Sequence, residues 1–325
     1  MKSKFFHSLA SVLGLLLFCG AIWVLHRELK VYHLDEVLDH LRELPAYLLL
    51  GALVLTLLSY LMRMAYDSLA LHHIKHPLSY SKTALVSFIG YAFSNNMGFG
   101  MLTGAPVRYR LYSSWGLSAL EITNTIAFCT LTFWIGFFSL GGVVFLLEPV
   151  VLPRALHLPF RTAHPVGIVF LAIVITYFLW NVLRKRPLKV GRWEFPLPSL
   201  RIHLIQIAVA LLDWALAGAV LYVLLPSAEN LSYPGFLGIY LLAQTAGLIS
   251  QVPGGLGVFE TMVLLLLSPT LPAPVVLGAL LLYRGIYYIL PLLLAITLLG
   301  TQEIVRRREI FHYLAQILVR GDSDG

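Results

Sequence analysis

Three ionisable side chains lie within or close to long apolar stretches of this chain, where they could bind a charged group. Asp213 is the thirteenth residue of the apolar stretch 201–225, and Arg284 is the twelfth residue of the stretch 273–300. Glu260 closely follows a segment rich in proline and glycine, 253–257. A charged side chain near the centre of a bilayer costs about 2.5–3.5 kcal/mol on insertion scales, so each of these residues is a candidate functional residue.

The formal charges of these three residues sum to −1, which indicates a carboxylate without an arginine partner. A cavity with such a carboxylate beside an arginine suits a substrate that carries both an ammonium and a phosphate group. Arginine binds phosphate in a bidentate fork, while a carboxylate binds the cation. The alternative is a buried ion-pair network that only holds helices together. The residue types alone leave both interpretations open.

Two further apolar stretches are interrupted by polar and glycine-rich segments. The stretch 84–102 runs into SNNMGFGMLTGAP (94–106), and the stretch 235–267 is broken at SQVPGGLGVFE (250–260). Proline and clustered glycine cannot continue a smooth helix, and irregular backbone at membrane depth needs protein or a water-filled cavity around it. A simple packing kink is the alternative. The predicted breaks are Gly98, Gly100, Pro253, Gly254, Gly255 and Gly257, and the further candidate binding residues are Arg108, Arg110, Asn95, Asn96 and Gln251.

The composition excludes an ordinary soluble enzyme and a disordered chain. Hydrophobic residues make up 58% of the 325 residues and charged residues only 12%, with a mean hydropathy of +0.82. The net charge of +7 comes from short basic clusters between apolar segments, which is typical of cytoplasmic loops and not of nucleic-acid binding. Cys19 and Cys129 lie in apolar runs, and no nucleotide-binding, zinc-protease or serine-hydrolase motif is present. We therefore predict no catalytic residue, cofactor or metal.

Six apolar segments are long enough to cross a bilayer: 9–26, 44–62, 120–147, 165–183, 201–225 and 273–300. The basic clusters place both termini on the cytoplasmic side, and they place Arg63 and Asp67 at a cytoplasmic helix end. With this orientation, the interrupted segments 83–117 and 235–268 must each return to the side from which they enter. The predicted fold is an all-α polytopic membrane protein with about six crossing helices and two re-entrant helical hairpins.

The predicted elements also repeat. Those that begin at 9, 44, 83 and 120 recur at 165, 201, 235 and 273, in the opposite orientation. We therefore expect 1–325 to be one membrane domain with inverted halves of about 1–150 and 160–305 and a cytoplasmic tail over 306–325. Inverted repeats with matching helix breaks occur in transporters, where the binding site lies near the midplane between the repeats.

Three segments carry a resemblance to a known family: NNMGFGMLTGAPVRYRLY (Asn95–Tyr112), VPGGLGVFE (Val252–Glu260) and LLYRGIYYILPLLLA (Leu281–Ala295). Together they resemble the N-terminal membrane domain of bacterial lysylphosphatidylglycerol synthetase/flippase proteins and its stand-alone relatives. In that family this domain is thought to move aminoacylated phosphatidylglycerol from the inner to the outer leaflet, which gives resistance to cationic antimicrobial peptides. The aminoacyl-transferase portion is not found in this sequence, so the resemblance implies a transporter and not an enzyme.

The resemblance implies a bacterial cytoplasmic (inner) membrane location, lysyl-phosphatidylglycerol as the lipid partner and a separate synthetase as a further partner. It leaves a homo-oligomer open and implies no nucleic acid. Glu260 and Asp213 are expected to receive the head-group cation, and Arg284 and Arg108 to contact the phosphate. The alternatives are a transporter of another lipid-linked or small anionic substrate and a non-transporting membrane scaffold for a synthetase.

Overall fold

The computed structural model describes residues 45–97, 104–148, 150–152, 159, 161–183, 188–190, 193–195, 198–226, 228, 231–250 and 252–302. The first predicted crossing, 9–26, and the predicted tail, 306–325, lie outside these residues. The same is true of Gly98, Gly100 and Gln251.

Nine α-helices make up most of the described residues. They are α1 (Ala46–His73), α2 (Tyr80–Met97), α3 (Ala105–Ser114), α4 (Ala119–Leu147), α5 (His164–Leu183), α6 (Leu200–Leu224), α7 (Tyr233–Ser250), α8 (Val258–Leu267) and α9 (Ala273–Tyr283). A 3-10 turn, Pro253–Gly255, separates α7 from α8, and α9 passes into a π-helical turn, Arg284–Ile289, within a helical run that ends at Gln302. Between α5 and α6, strands β1 (Leu188–Val190) and β2 (Trp193–Phe195) form a short antiparallel ribbon.

Five of these helices are long and apolar enough to cross a membrane, namely α1, α4, α5, α6 and the run Ala273–Gln302. They correspond to the five predicted crossings that fall on described residues, and they confirm an all-α polytopic membrane protein. Helix α1 differs from its prediction, because it ends at His73 and not near residue 62. No proline or glycine follows Gly51 before Pro77, so nothing in the sequence stops the helix at Arg63.

Each interrupted segment consists of a helix of 18 residues followed by one of 10 residues: α2 with α3, and α7 with α8. The two helices of each pair pack against each other. A helix of 10 residues is about 15 Å long, half of the roughly 30 Å hydrocarbon core. This geometry fits the predicted re-entrant hairpins, whose direction in the membrane stays a prediction.

The helix starts repeat closely along the chain. Helices α6, α7, α8 and α9 begin 154, 153, 153 and 154 residues after α1, α2, α3 and α4, respectively. The equivalent helices α1 and α6 pack closely against each other. The repeat therefore places two equivalent helices in contact, while the opposite orientation of the two halves stays a prediction.

Small residues bring α4 close to its neighbours. A Cβ atom on Gly136 would overlap the side chain of Ala210 on α6, and one on Gly142 would lie 2.6 Å from Leu171 on α5. Small residues of this kind let membrane helices approach closely. Only Gly167 and Phe170 are buried on α5, so the remainder of that apolar helix is partly or fully exposed, as expected of a helix at the lipid boundary.

Candidate functional site

The first of three buried ion pairs joins the equivalent helices α1 and α6. The Arg63 Nε atom donates to both carboxylate oxygens of Asp213, at 3.1 and 3.2 Å. Asp213 also accepts hydrogen bonds from the hydroxyls of Ser59, at 2.7 Å, and Tyr66, at 2.9 Å. Asp213 is 0% exposed and Arg63 only 4%, so the carboxylate is fully compensated inside the protein. Ser59 and Asp213 are 154 residues apart, the spacing of the repeat.

The second pair joins α1 to α3. Arg108 donates two parallel hydrogen bonds to Asp67, each 2.9 Å long, from Nε and Nη2. The hydroxyls of Tyr112 and Ser87 donate to the same carboxylate, at 2.9 and 3.0 Å. The Arg108 guanidinium also lies 4.5 Å from the centre of the Tyr91 ring. This bidentate pair fixes the shorter helix of the first interrupted segment against α1.

The third pair holds the glycine-rich break of the second segment. Arg284 Nε donates to Glu260 Oε1 at 2.6 Å, and Arg284 Nη1 donates to the carbonyl of Gly254 at 2.8 Å. The other oxygen of Glu260 accepts from the Gly257 backbone N–H at 2.7 Å. Gly254 and Gly257 have φ values of 62° and 77°, a left-handed conformation that favours glycine. One ion pair therefore closes a backbone turn that only a glycine-rich sequence adopts easily.

The charges of the three pairs cancel, which corrects one sequence-based expectation. The sum of −1 for Asp213, Glu260 and Arg284 does not include Arg63, because the sequence predicts Arg63 at a cytoplasmic helix end. Because α1 continues to His73, Arg63 is buried and paired with Asp213. The expectation of an unpaired carboxylate is therefore wrong. All three carboxylates of these pairs have an arginine partner.

The two asparagines at the end of α2 take different positions. The Asn95 carbonyl oxygen accepts from Arg63 Nη1, and its amide donates to the Tyr60 hydroxyl at 3.1 Å. Asn96 is buried and donates to the backbone carbonyls of Ala92 and Tyr288, so it holds α2 against the π-helical turn Arg284–Ile289. Arg110, which was also predicted as a binding residue, is buried on α3.

A cavity of about 680 Å³ lies where the two interrupted segments meet. Its polar lining comprises Ser94, Asn95, Thr130, Gln244 and Thr245, and its aromatic lining comprises Tyr91, Phe133, Trp134, Phe137, Phe138, Phe170, Trp214, Tyr240, Tyr287 and Tyr288. Backbone of the glycine-rich break and the apolar residues Leu248, Ile249 and Val252 complete the described wall. The volume is in the range of small-molecule binding sites, about 300–1,000 Å³.

Arg63 is the one charged side chain among the described residues that line this cavity. Its guanidinium lies 5.7 Å from the ring centres of Tyr60 and Tyr91 and 5.6 Å from that of Tyr287. Asp213 and Glu260 do not belong to the described lining, and their oxygens are engaged by arginine and by neutral donors. The cavity therefore offers a cation and aromatic faces to a ligand.

Sequence reasoning did not select Arg63 or the aromatic wall as parts of a site. Helical spacing carries a signal for Arg63, because Ser59, Arg63, Tyr66 and Ala70 recur at intervals of three or four residues and lie on one buried face of α1. The sequence does not show that Trp134 and Phe138 line a cavity, because aromatic residues at helical spacing more often belong to the core than to a binding site. Only the packing of α4 against α6 and α7 shows that a cavity lies beside them.

Comparison with known proteins agrees with the motifs. The family model described as the lysylphosphatidylglycerol synthase transmembrane region matches residues 11–295. An uncharacterised protein of Synechocystis is 46% identical over 298 residues, which is 92% of both chains. The inner membrane protein YbhN of Escherichia coli is 33% identical over 287 residues, 88% of this chain and 89% of YbhN.

The phosphatidylglycerol lysyltransferase of Staphylococcus haemolyticus is a more distant relative. It is 24% identical over 312 residues, which is 92% of this chain but only 34% of the lysyltransferase. The chain thus spans about a third of the length of that relative. The family match covers most of the five crossing helices, both interrupted segments and all three ion pairs. This multi-pass membrane protein therefore belongs to the family of the lysylphosphatidylglycerol synthase transmembrane region.

Proposed function

We propose that this protein is a phospholipid translocase of the bacterial cytoplasmic membrane that moves aminoacylated phosphatidylglycerol from the inner to the outer leaflet. The observation that carries the proposal is the cavity between the two interrupted segments, which combines one cation with an aromatic wall. Membership of the family supports the choice of lipid. The lipid exposed outside would then lower the attraction of the cell surface for cationic peptides.

The size and lining of the cavity suit a lipid head group and not a whole lipid. A volume of about 680 Å³ accommodates a glycerol phosphate with an attached amino acid, while the acyl chains remain in the bilayer. Ile249 lines the cavity and is 75% exposed, so the wall reaches the protein surface at the end of α7. A lipid could thus place its head group inside while its tails pass this edge.

The ammonium groups of a lysyl head group would meet aromatic rings in this cavity. Trp134, Trp214 and Tyr288 line it, and a cation over such a ring gains about 0.5–2 kcal/mol, more when it is shielded from water. In this proposal Asp213 and Glu260 do not contact the lipid. Their ion pairs instead hold the helices that form the wall. This differs from the direct cation contacts expected from the sequence.

The same reasoning places Arg108 and Arg284 in the framework. Arg108 connects α3 to α1, and Arg284 connects the π-helical turn of α9 to the glycine-rich break. Neither belongs to the described cavity lining. We propose that both keep the interrupted segments in register while a head group passes, and that neither side chain carries out chemistry on the lipid.

Leaflet distribution in cells tests the proposal. A host that makes lysyl-phosphatidylglycerol with a separate synthetase would express this chain and be labelled with an amine reagent that does not cross membranes. We expect more labelled lysyl lipid at constant total lipid. Thr245→Trp, which fills the cavity, should abolish the increase, whereas Thr297→Trp, at an exposed position of the helical run that ends at Gln302, should not.

Unchanged labelling with folded wild-type protein in the membrane would contradict lysyl-phosphatidylglycerol as the cargo. An increase that Thr245→Trp and Thr297→Trp support equally would contradict the role of the cavity. A separate synthetase that depends on this protein for its membrane location, with no change in leaflet distribution, would favour the scaffold alternative.

A further inference from the structure

The two edges of the Arg63 guanidinium have different hydrogen-bond partners. The Nε–H group donates to both carboxylate oxygens of Asp213, a residue that does not belong to the described cavity lining. The two terminal nitrogens instead contact neutral groups, namely the carbonyl oxygen of Asn95 and, at 2.9 Å, the hydroxyl of Tyr287. Both of these residues line the cavity. The charge is thus balanced on one edge, while the other edge reaches the wall of the cavity.

A guanidinium has five N–H groups, and these contacts use three of them. One N–H on each terminal nitrogen has no other partner among the described residues. The two terminal nitrogens of a planar guanidinium form a fork that can bind two oxygens of one phosphate. The Ser94 hydroxyl, on a cavity-lining residue only 7% exposed, also has no hydrogen-bond partner among the described residues.

The two other buried arginines make a different pattern. Arg108 uses Nε and Nη2 on the carboxylate of Asp67, so its fork is already occupied by an anion. Arg284 uses its nitrogens on Glu260 and on the carbonyl of Gly254. Neither lines the cavity among the described residues. Arg63 therefore combines access to the cavity with an edge that holds no negatively charged partner.

We propose that the terminal nitrogens of Arg63 form the binding subsite for the phosphate of the ligand. A phosphate oxygen replaces the neutral contact to Asn95 or Tyr287, because a charge-assisted hydrogen bond is about twice as strong as a neutral one. Asp213 positions the guanidinium and offsets the cost of burying it. The inference rests on the proposed function in taking the cavity as the ligand site, but the anion chemistry is shared by a phospholipid and a soluble phosphate.

Binding of a short-chain lipid to the purified full-length protein in detergent tests the subsite. Dioctanoyl phosphatidylglycerol would be titrated while the fluorescence of the tryptophans is recorded, since Trp134 and Trp214 line the cavity. Dioctanoylglycerol, which lacks the phosphate, and glycerol 3-phosphate, which lacks the tails, serve as comparison ligands. We expect tight binding only of the phosphatidylglycerol.

Two substitutions separate the subsite from a purely structural role. Arg63→Lys keeps a positive charge beside Asp213 but removes the fork, so phosphatidylglycerol should bind about ten- to a hundred-fold more weakly while dioctanoylglycerol binds as before. Asn95→Asp places a carboxylate on the terminal nitrogens and should weaken phosphatidylglycerol binding even if Arg63→Lys fails to fold. Arg201→Lys, the same substitution at an exposed residue of α6 outside the described lining, should leave the dissociation constant within about three-fold.

Several outcomes would overturn the subsite: a folded Arg63→Lys protein with an unchanged dissociation constant, an Asn95→Asp protein with unchanged binding, or dioctanoylglycerol binding as tightly as phosphatidylglycerol. Equal binding of glycerol 3-phosphate and phosphatidylglycerol, both weakened by Arg63→Lys, would support the subsite but contradict a lipid cargo. The failure of the subsite and the failure of the proposed function are therefore distinguishable.

Discussion

The ion pair between Asp67 and Arg108 provides the sharpest test of the framework. We expect Asp67→Asn to destabilise the protein strongly, because it leaves the Arg108 guanidinium, 1% exposed, without its carboxylate. Asparagine keeps the size of the side chain and the acceptor for Tyr112, so the change mainly removes charge. Arg108→Met should have a similar effect, because it leaves a carboxylate that is 0% exposed without a cation.

The geometry sets the size of the effect. The pair has two hydrogen bonds of 2.9 Å and is sealed from solvent. Removing one partner of such a pair costs about 3–5 kcal/mol, because the other charge stays buried and uncompensated. Replacing both partners by neutral residues of similar volume is often nearly neutral. The double variant Asp67→Asn/Arg108→Met should therefore regain most of the stability that each single variant loses.

Thermal unfolding of the purified variants in one detergent measures this cycle. Each single variant should melt at least about 6 °C below the wild type, and the double variant within a few degrees of it. The amount of folded protein recovered by gel filtration should follow the same order. Additive losses in the double variant, or a single variant as stable as the wild type, would refute the reasoning.

Two predictions concern glycines. Gly257 has a φ of 77° and open space where a Cβ would lie, so Gly257→Ala should cost about 1–2 kcal/mol through backbone strain alone. Gly285 has equally open space and no positive φ, so Gly285→Ala should stabilise the protein by up to about 1 kcal/mol. Thermal unfolding measures both variants, and equal effects would contradict the strain argument. A Cβ on Gly136 would overlap Ala210, so Gly136→Ala should cost about 1–3 kcal/mol of stability. Gly51 has open space where a Cβ would lie, so Gly51→Ala should not destabilise the protein. A Gly136→Ala protein as stable as the wild type would show that α4 and α6 separate easily.

Hydropathy and charge were sufficient to predict the membrane fold. Five described helices lie within a few residues of predicted crossings, apart from the far end of α1. The sequence does not predict that end, because charged residues such as Arg63 and Asp67 are typical of the edge of the membrane. In the structure both are buried on one face of a continuous helix. A charge in a helix indicates solvent only when no buried partner exists, and the partner of Arg63 lies 150 residues away.

The interrupted segments were predictable for a different reason. Proline and closely spaced glycines limit the backbone locally, so Pro253 to Gly257 could be assigned to a break without tertiary information. The length of each helix beside the break, and the match of 18 and 10 residues in both segments, follow from packing instead.

Which charges meet could not be predicted from one sequence. Asp67, Asp213, Glu260, Arg63, Arg108 and Arg284 can be paired in several ways, and hydropathy does not distinguish among them. The observed pairing depends on the contact of α1 with α6 and on how the shorter helices fold back. This is why Arg63, which contacts the cavity, was placed outside the site.

The central claim is that a phospholipid head group crosses the membrane through the cavity beside Arg63. The most direct measurement uses purified protein in vesicles that contain fluorescent lysyl-phosphatidylglycerol, with a membrane-impermeant reductant added outside to bleach the outer leaflet. The account predicts that wild-type protein and Thr297→Trp make nearly all the fluorescence accessible, whereas Thr245→Trp and Arg63→Lys leave about half protected, as in empty vesicles. Equal accessibility with all four proteins, or protection with folded wild-type protein, would contradict it.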